Sequence, residues 1–174
     1  MTLTVQHARA RLAASAEAIR ALVDGVDDAQ ARWKPAPDQW SIVEVVNHLA
    51  DEEREDFRAR LERVLRDPDE AWPPIHPSAW VTERGYAGRG LRESLDRFLA
   101  ARAESLAWLD SLAAGPAPDW NRAHVRGDQR MTAGDLLVSW VAHDLLHVRQ
   151  LARLHYTHAA ARAAPHSPEY AGGW

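Results

Sequence analysis

Cysteine is absent from the chain. Disulfides, thiolate metal sites and a cysteine nucleophile are therefore excluded, and any thiol chemistry must take its thiol from a small molecule. Lysine is scarce as well: Lys34 stands alone among many arginines, an imbalance that reads as base composition and carries no function. No apolar run is long enough to span a bilayer, which speaks against a membrane partner. The opening stretch MTLTVQHARARLAA lacks the basic start and apolar core of a signal peptide, so the cytoplasm is the expected compartment. There is no basic block either. The formal net charge is −4 with both signs interspersed, which speaks against a nucleic-acid partner. A Gly-rich phosphate loop, a nucleophile on a strained turn, an internal repeat and a convincing strand pattern are all missing.

What is present is a chain of ordinary globular balance, 46% hydrophobic and 26% charged, whose 174 residues suit one domain with one substantial core. Two residue types are abundant: eight Trp and nine His, the first suited to pockets as well as cores, the second to metal binding and proton transfer.

Four segments carry helical periodicity. The first runs from about Val5 to Val23, with Leu12, Ile19, Leu22 and Val23 as its stripe. The second starts at Ser41, where Glu44 completes a capping-box pattern, and ends near Arg66 before Asp67-Pro68. The third runs from about Leu91 to Ala113. The fourth is capped by Thr132, with Asp135 in its first turn, and continues to about His155. The spacing thus predicts an all-α four-helix bundle over residues 1–174, with a C-terminal tail from about 156. The connections 26–39, 67–90 and 117–131 read as loops, long enough to permit a crossover order of helices.

His143 and His147 are four apart on the fourth helix and share a face with Leu136, Trp140, Leu151 and Leu154. Two imidazoles in an inward stripe need partners, and one shared metal ion supplies them; chance spacing on a His-rich surface is the plainer alternative. His48 borders the apolar side of the second helix and would complete a three-histidine site with open positions, the pattern of a catalytic rather than a structural centre. Imidazole suits Ni, Cu and Fe as well as Zn, so ligand type alone does not name the metal; a divalent ion, Zn, Ni or Mn, is the expectation. Glu44 and Glu52 flank His48 by four residues and are the candidate catalytic residues: either could accept a ligand's second N–H, join the metal or take a proton. The plainer reading for both is a solvated helix face. Asp144 should point away as an interhelix contact, and Gln150 returns to the ligand face, to line the pocket or reach the second helix. Trp140 is the best aromatic candidate for a pocket wall; His7, His76, His124, His155, His158 and His166 read as surface residues.

The combination Trp40-Ser41-x-x-Glu44-x-x-x-His48-Leu49 with His143-Asp144-x-x-His147-x-x-Gln150-Leu151 resembles the DinB/YfiT-like superfamily. The resemblance implies a four-helix bundle with a three-His metal site, in which His48, His143 and His147 take the ligand roles. It also implies a homodimer and a small-molecule substrate. Activities among such proteins include thiol-dependent group transfer and isomerisation, with a low-molecular-weight thiol as partner, and hydrolysis. A different reading is a stress-related bundle that binds metal or ligand without catalysis. The segment 67–90 departs from the family pattern and should cap the open side of the site.

Overall fold

The computed structural model describes residues 4–173; residues 1–3 of the opening stretch and Trp174 of the tail lie outside them. α1 (Val5–Val23) begins at Thr4, whose hydroxyl accepts from the His7 amide, and buries Ala8, Leu12, Ile19 and Val23. A short α2 (Asp28–Arg32) interrupts the first connection, capped by the Asp27 carboxylate. The second long helix covers the expected span in three pieces: α3 (Ile42–Glu52), a π-helical turn (Glu53–Phe57) and α4 (Arg58–Arg66). α3 has no exposed residue.

The segment after α4 is not the plain loop expected. It holds α5 (Pro77–Glu83), opened by a proline that lacks the amide a first helical residue does not need, and a 3-10 turn at Tyr86–Gly88. Trp80, Val81 and Tyr86 form a small apolar cluster of their own, against which Trp40 packs. α6 (Leu91–Ala114) is the third long helix.

The segment before the last helix is also corrected. It contains a β-hairpin, β1 (Ala123–Arg126) and β2 (Gln129–Thr132), antiparallel, with Arg126 opposite Gln129. Only Gly127 and Asp128 make the turn, and Gly127 takes a φ of +58° that side chains disfavour. α7 (Ala133–Ala161) leaves the hairpin directly. The Thr132 hydroxyl accepts from the Asp135 amide while the Asp135 carboxylate accepts from the Thr132 amide, each at 2.9 Å. α7 runs about a turn and a half beyond the expected end, because its Ala-rich continuation favours helix.

The long helices do not pack in chain order. α1 lies along α6 and α7, and the α3–α4 helix lies along the same two from the other side. One core layer joins Ile19, Val46, Leu49, Phe98 and Leu151; the other joins Leu12, Leu61, Leu109, Leu137 and Trp140. This crossed arrangement brings the middle of α3 against the middle of α7, where the histidines lie.

Candidate metal centre

His48 comes from α3; His143 and His147 come from successive turns of α7. Their Nε2 atoms form a near-equilateral triangle: 3.1 Å from His48 to His147, 3.1 Å from His147 to His143 and 3.3 Å from His48 to His143. Two nitrogens bound tetrahedrally to one zinc at 2.0–2.1 Å stand about 3.3 Å apart, so the triangle fits a single cation. Hydrogen bonding alone does not explain it. Three neutral imidazoles offer at most one proton each, and three lone pairs or protons meeting at one point repel unless something fills it. Among the described residues no carboxylate joins this cluster.

The electrostatics point the same way. Burial pushes the His48 imidazole down to about 3, helped by His147 and opposed by Asp51. Burial likewise pushes His143 down to about 3, with His147, His48 and Arg102 adding to it. His147 is lowered by burial, against a bond to Gln150 that raises it. All three rings are therefore neutral at neutral pH, the form that binds a cation.

Gln150 lines the cleft beside the triangle, and its Oε1 lies 2.8 Å from His147 Nδ1 on its own helix. It accepts the Nδ1 proton, which leaves the Nε2 lone pair facing the triangle. His48 is held differently. Trp40 packs on its ring at 4.9 Å, and its Nδ1 is buried without a hydrogen-bond partner. Phe57 closes the far side, 4.9 Å from the His143 ring. His48 is buried, but His143 and His147 are only partly covered, so the triangle has a solvent side. Beside it lies a cleft of about 360 Å³, whose walls include Trp40 and Gln150.

The two candidate glutamates are not on a solvated face: Glu44 is 3% and Glu52 4% exposed. Neither accepts the His48 proton. Glu44 completes the capping box at the Ser41 amide, 2.7 Å away, and its other oxygen takes Lys34 Nζ at 2.7 Å. Burial, then Asp56, push the Glu52 carboxyl up to about 8, and its Oε1 is buried without a partner.

Sequence reasoning missed the group that fixes the helices here. Arg102 of α6 is 1% exposed. Its guanidinium makes paired bonds to Glu53 in the π turn (2.7 and 2.7 Å) and to Asp144 (2.6 and 2.9 Å), and a further bond to the Leu12 carbonyl of α1. Trp140 is core rather than pocket wall, with its indole N–H donating to Glu53 at 3.0 Å. Asp144 is the interhelix contact expected of it. Two residues apart and so about 200° apart round the helix, two neighbouring acids diverge: Asp51 meets Arg84, Arg97 and Tyr86, while Glu53 meets Arg102. An arginine inside an apolar helix stripe was the available signal, since a buried cation requires acids nearby.

Two of the remaining histidines are also not simple surface residues. His155 Nε2 donates to the Leu22 carbonyl at 2.6 Å and its Nδ1 accepts from Gln30. His124 lies on the hairpin, stacked on Trp72 at 4.3 Å. Neither meets the triangle.

The fold has a solved counterpart. YfiT from Bacillus subtilis, described as a probable metal-dependent hydrolase with an unusual four-helix bundle topology, superposes with a TM-score of 0.74 at 20% identity. The match covers 86% of this chain and 85% of that one. Comparison with curated proteins gave no match. A family model, however, matches residues 11–151, which takes in the capped start of α3 and all three histidines, and on that ground the chain belongs to the DinB superfamily.

Proposed function

We propose that this protein is a metal-dependent enzyme that acts on a small electrophilic substrate, by hydrolysis or by transfer to a thiol, with His48, His143 and His147 as metal ligands. The observation that carries the reading is the Nε2 triangle, closed by neutral rings and lacking a fourth protein ligand among the described residues. A divalent cation held there, Zn, Ni or Mn, supplies Lewis acidity that makes water or a thiol a nucleophile at neutral pH. That YfiT is described as a probable metal-dependent hydrolase supports hydrolysis as the first activity to test.

The chain's own residues do the rest. The three imidazoles would hold the cation, and the solvent side of the triangle would be left for substrate. Gln150 keeps His147 in the ligating tautomer. Trp40 and Phe57 exclude water from two flanks. Of the two glutamates, Glu52 suits proton work better, because its carboxyl holds a proton up to about 8 while both oxygens of Glu44 are committed to Ser41 and Lys34. The lack of cysteine means that a thiol, where one is used, comes as a cosubstrate.

The test is metal content by mass spectrometry on tag-free protein, beside His48→Ala and His147→Ala. A stoichiometric metal lost in both variants supports the centre; ester, amide and thiol-transfer substrates then decide the reaction. A folded wild type that takes up no Zn, Ni or Mn overturns the reading. A metal that binds with no turnover of any substrate class leaves a binding protein.

A further inference from the structure

The two segments that departed from plain loops, 67–90 and the hairpin, meet on one side of α4 and enclose a cleft of about 960 Å³. That is the size of a pocket for a small organic molecule. Its lining includes none of the three histidines of the metal centre, nor Trp40 or Phe57. Along the second helix Arg60 lies twelve residues beyond His48, about 18 Å at the α-helical rise. The cleft is therefore a second site.

Its chemistry is one-sided. Arg60 rises from the floor and Arg126 from the hairpin face that carries His124, with His76 and His124 at the walls; Arg130 belongs to the lining but its side chain lies on the opposite hairpin face with Val125, and Asp69 is the acid in the lining. Arg60 is paired with Asp56 at 2.9 Å, and Arg130 donates to the Asn121 carbonyl. Among the described residues Arg126 makes no ion pair or side-chain hydrogen bond. In a chain of net charge −4 this is a local excess of cations.

The walls are apolar and aromatic. Trp72 is fixed between His124, stacked at 4.3 Å and 14°, and the Arg60 guanidinium, 4.7 Å over its ring. Met131, on the hairpin face it shares with His124, stays 39% exposed at the mouth, where an occupant would cover it. A flat, positive surface would suit a polyanion. A concave one with an indole and aliphatic walls suits a small molecule with an apolar body and an anionic group.

We propose that the cleft between the proline-rich segment and the hairpin binds a small organic anion, its apolar or aromatic body against Trp72, Ile75 and Met131 and its carboxylate or phosphate on Arg126, which shares the Trp72-facing side of the hairpin with His124 and Met131. The site does not need the metal.

Isothermal titration calorimetry with naphthoate, naphthyl phosphate and uncharged naphthamide tests this on the full chain. At least one anion binds the wild type, and whichever binds more tightly identifies the carboxylate or the phosphate as the recognised group. Arg126→Ala weakens it by about tenfold or more, whereas Arg130→Ala, on the other face of the hairpin, leaves it unchanged. Both side chains are exposed, so the variants fold, and the charge-reversed Arg126→Glu gives an independent check on the cleft-facing position. His143→Ala, which removes a metal ligand of the first reading, leaves anion binding unchanged. Naphthamide binding as tightly as the anions, no binding of either anion, or equal binding to the Arg126 variants overturns the proposal. Anion binding that disappears in folded His143→Ala overturns the independence of the two sites while leaving the metal centre standing.

Discussion

Arg102 and Asp144 meet inside the bundle through two bonds, 2.6 and 2.9 Å long, and Asp144 is the residue that follows His143. The pair ties α6 to the turn of α7 that carries His143 and the face it shares with His147. Burial raises the Asp144 carboxyl, and the bonds to Arg102 pull it back toward the ionised form.

Replacing Arg102 with Met leaves Glu53 and Asp144 buried without their cation. The expected loss is about 3–5 kcal/mol in urea unfolding, because an uncompensated buried charge costs more than the pair contributes. Changing Arg102, Glu53 and Asp144 together to apolar residues should recover most of it. A single variant as stable as the wild type would show that the network is dispensable.

Gln150→Leu removes the acceptor of the His147 Nδ1 proton. Metal affinity, measured by competition with a chelator, should fall by about ten- to a hundredfold, the usual effect of losing a ligand's outer partner. Gln150→Glu should retain it. Equal affinity in all three proteins would assign Gln150 to packing alone.

The histidines also set a pH dependence in metal-free protein. Their folded values are near 3 for His48 and His143, below the unfolded 6.5, so the unfolded chain binds more protons between those limits. Stability is complete above 6.5 and is lost as the pH falls toward 3, by up to about 1.4 kcal/mol per pH unit for each ring. Glu52, Asp56 and Asp144 are raised and act in the opposite sense. The comparison is therefore with the His48→Gln, His143→Gln double variant, in which those acids cancel. The wild type should show the steeper slope; parallel curves would mean the rings are not buried as neutral groups.

Glu52 gives the reverse signature. Its folded carboxyl titrates near 8 against 4.5 unfolded, so its contribution is present below 4.5 and is lost as the pH rises through 8. Glu52→Gln should flatten the unfolding curve on the alkaline side. If Glu52 moves the proton, the same change lowers kcat with little effect on metal content, whereas Glu44→Gln lowers stability through the cap and spares kcat. A Glu52→Gln enzyme with normal kcat would remove it from the mechanism.

The long helices were legible because Leu12, Ile19, Leu49, Phe98 and Leu151 recur at helical steps, and because Ser41/Glu44 and Thr132/Asp135 mark two starts. The triangle was legible in outline, since His143 and His147 must share a face. The partners of buried charge were not. Asp51, Glu52, Glu53 and Asp56 form an acidic run that periodicity assigns to water, yet arginines as distant as Arg84, Arg97 and Arg102 bring two of them, Asp51 and Glu53, inside. The π turn has no Pro or Gly to announce it. The hairpin did leave a mark, Gly127-Asp128 between two four-residue runs, but strands this short show too little alternation to be told from loop.

The wide turn at Glu53–Phe57 gives the second helix two separate clock positions. An added residue swings everything beyond it by about 100° about the axis, so the bearing of Arg60 is not dictated by the bearing of His48. Loss of one residue from that turn would carry Arg60 off the cleft while His48 kept its aim at α7. The histidine end and the cleft end of one continuous rod can thus be retimed independently, with a single codon as the adjustment.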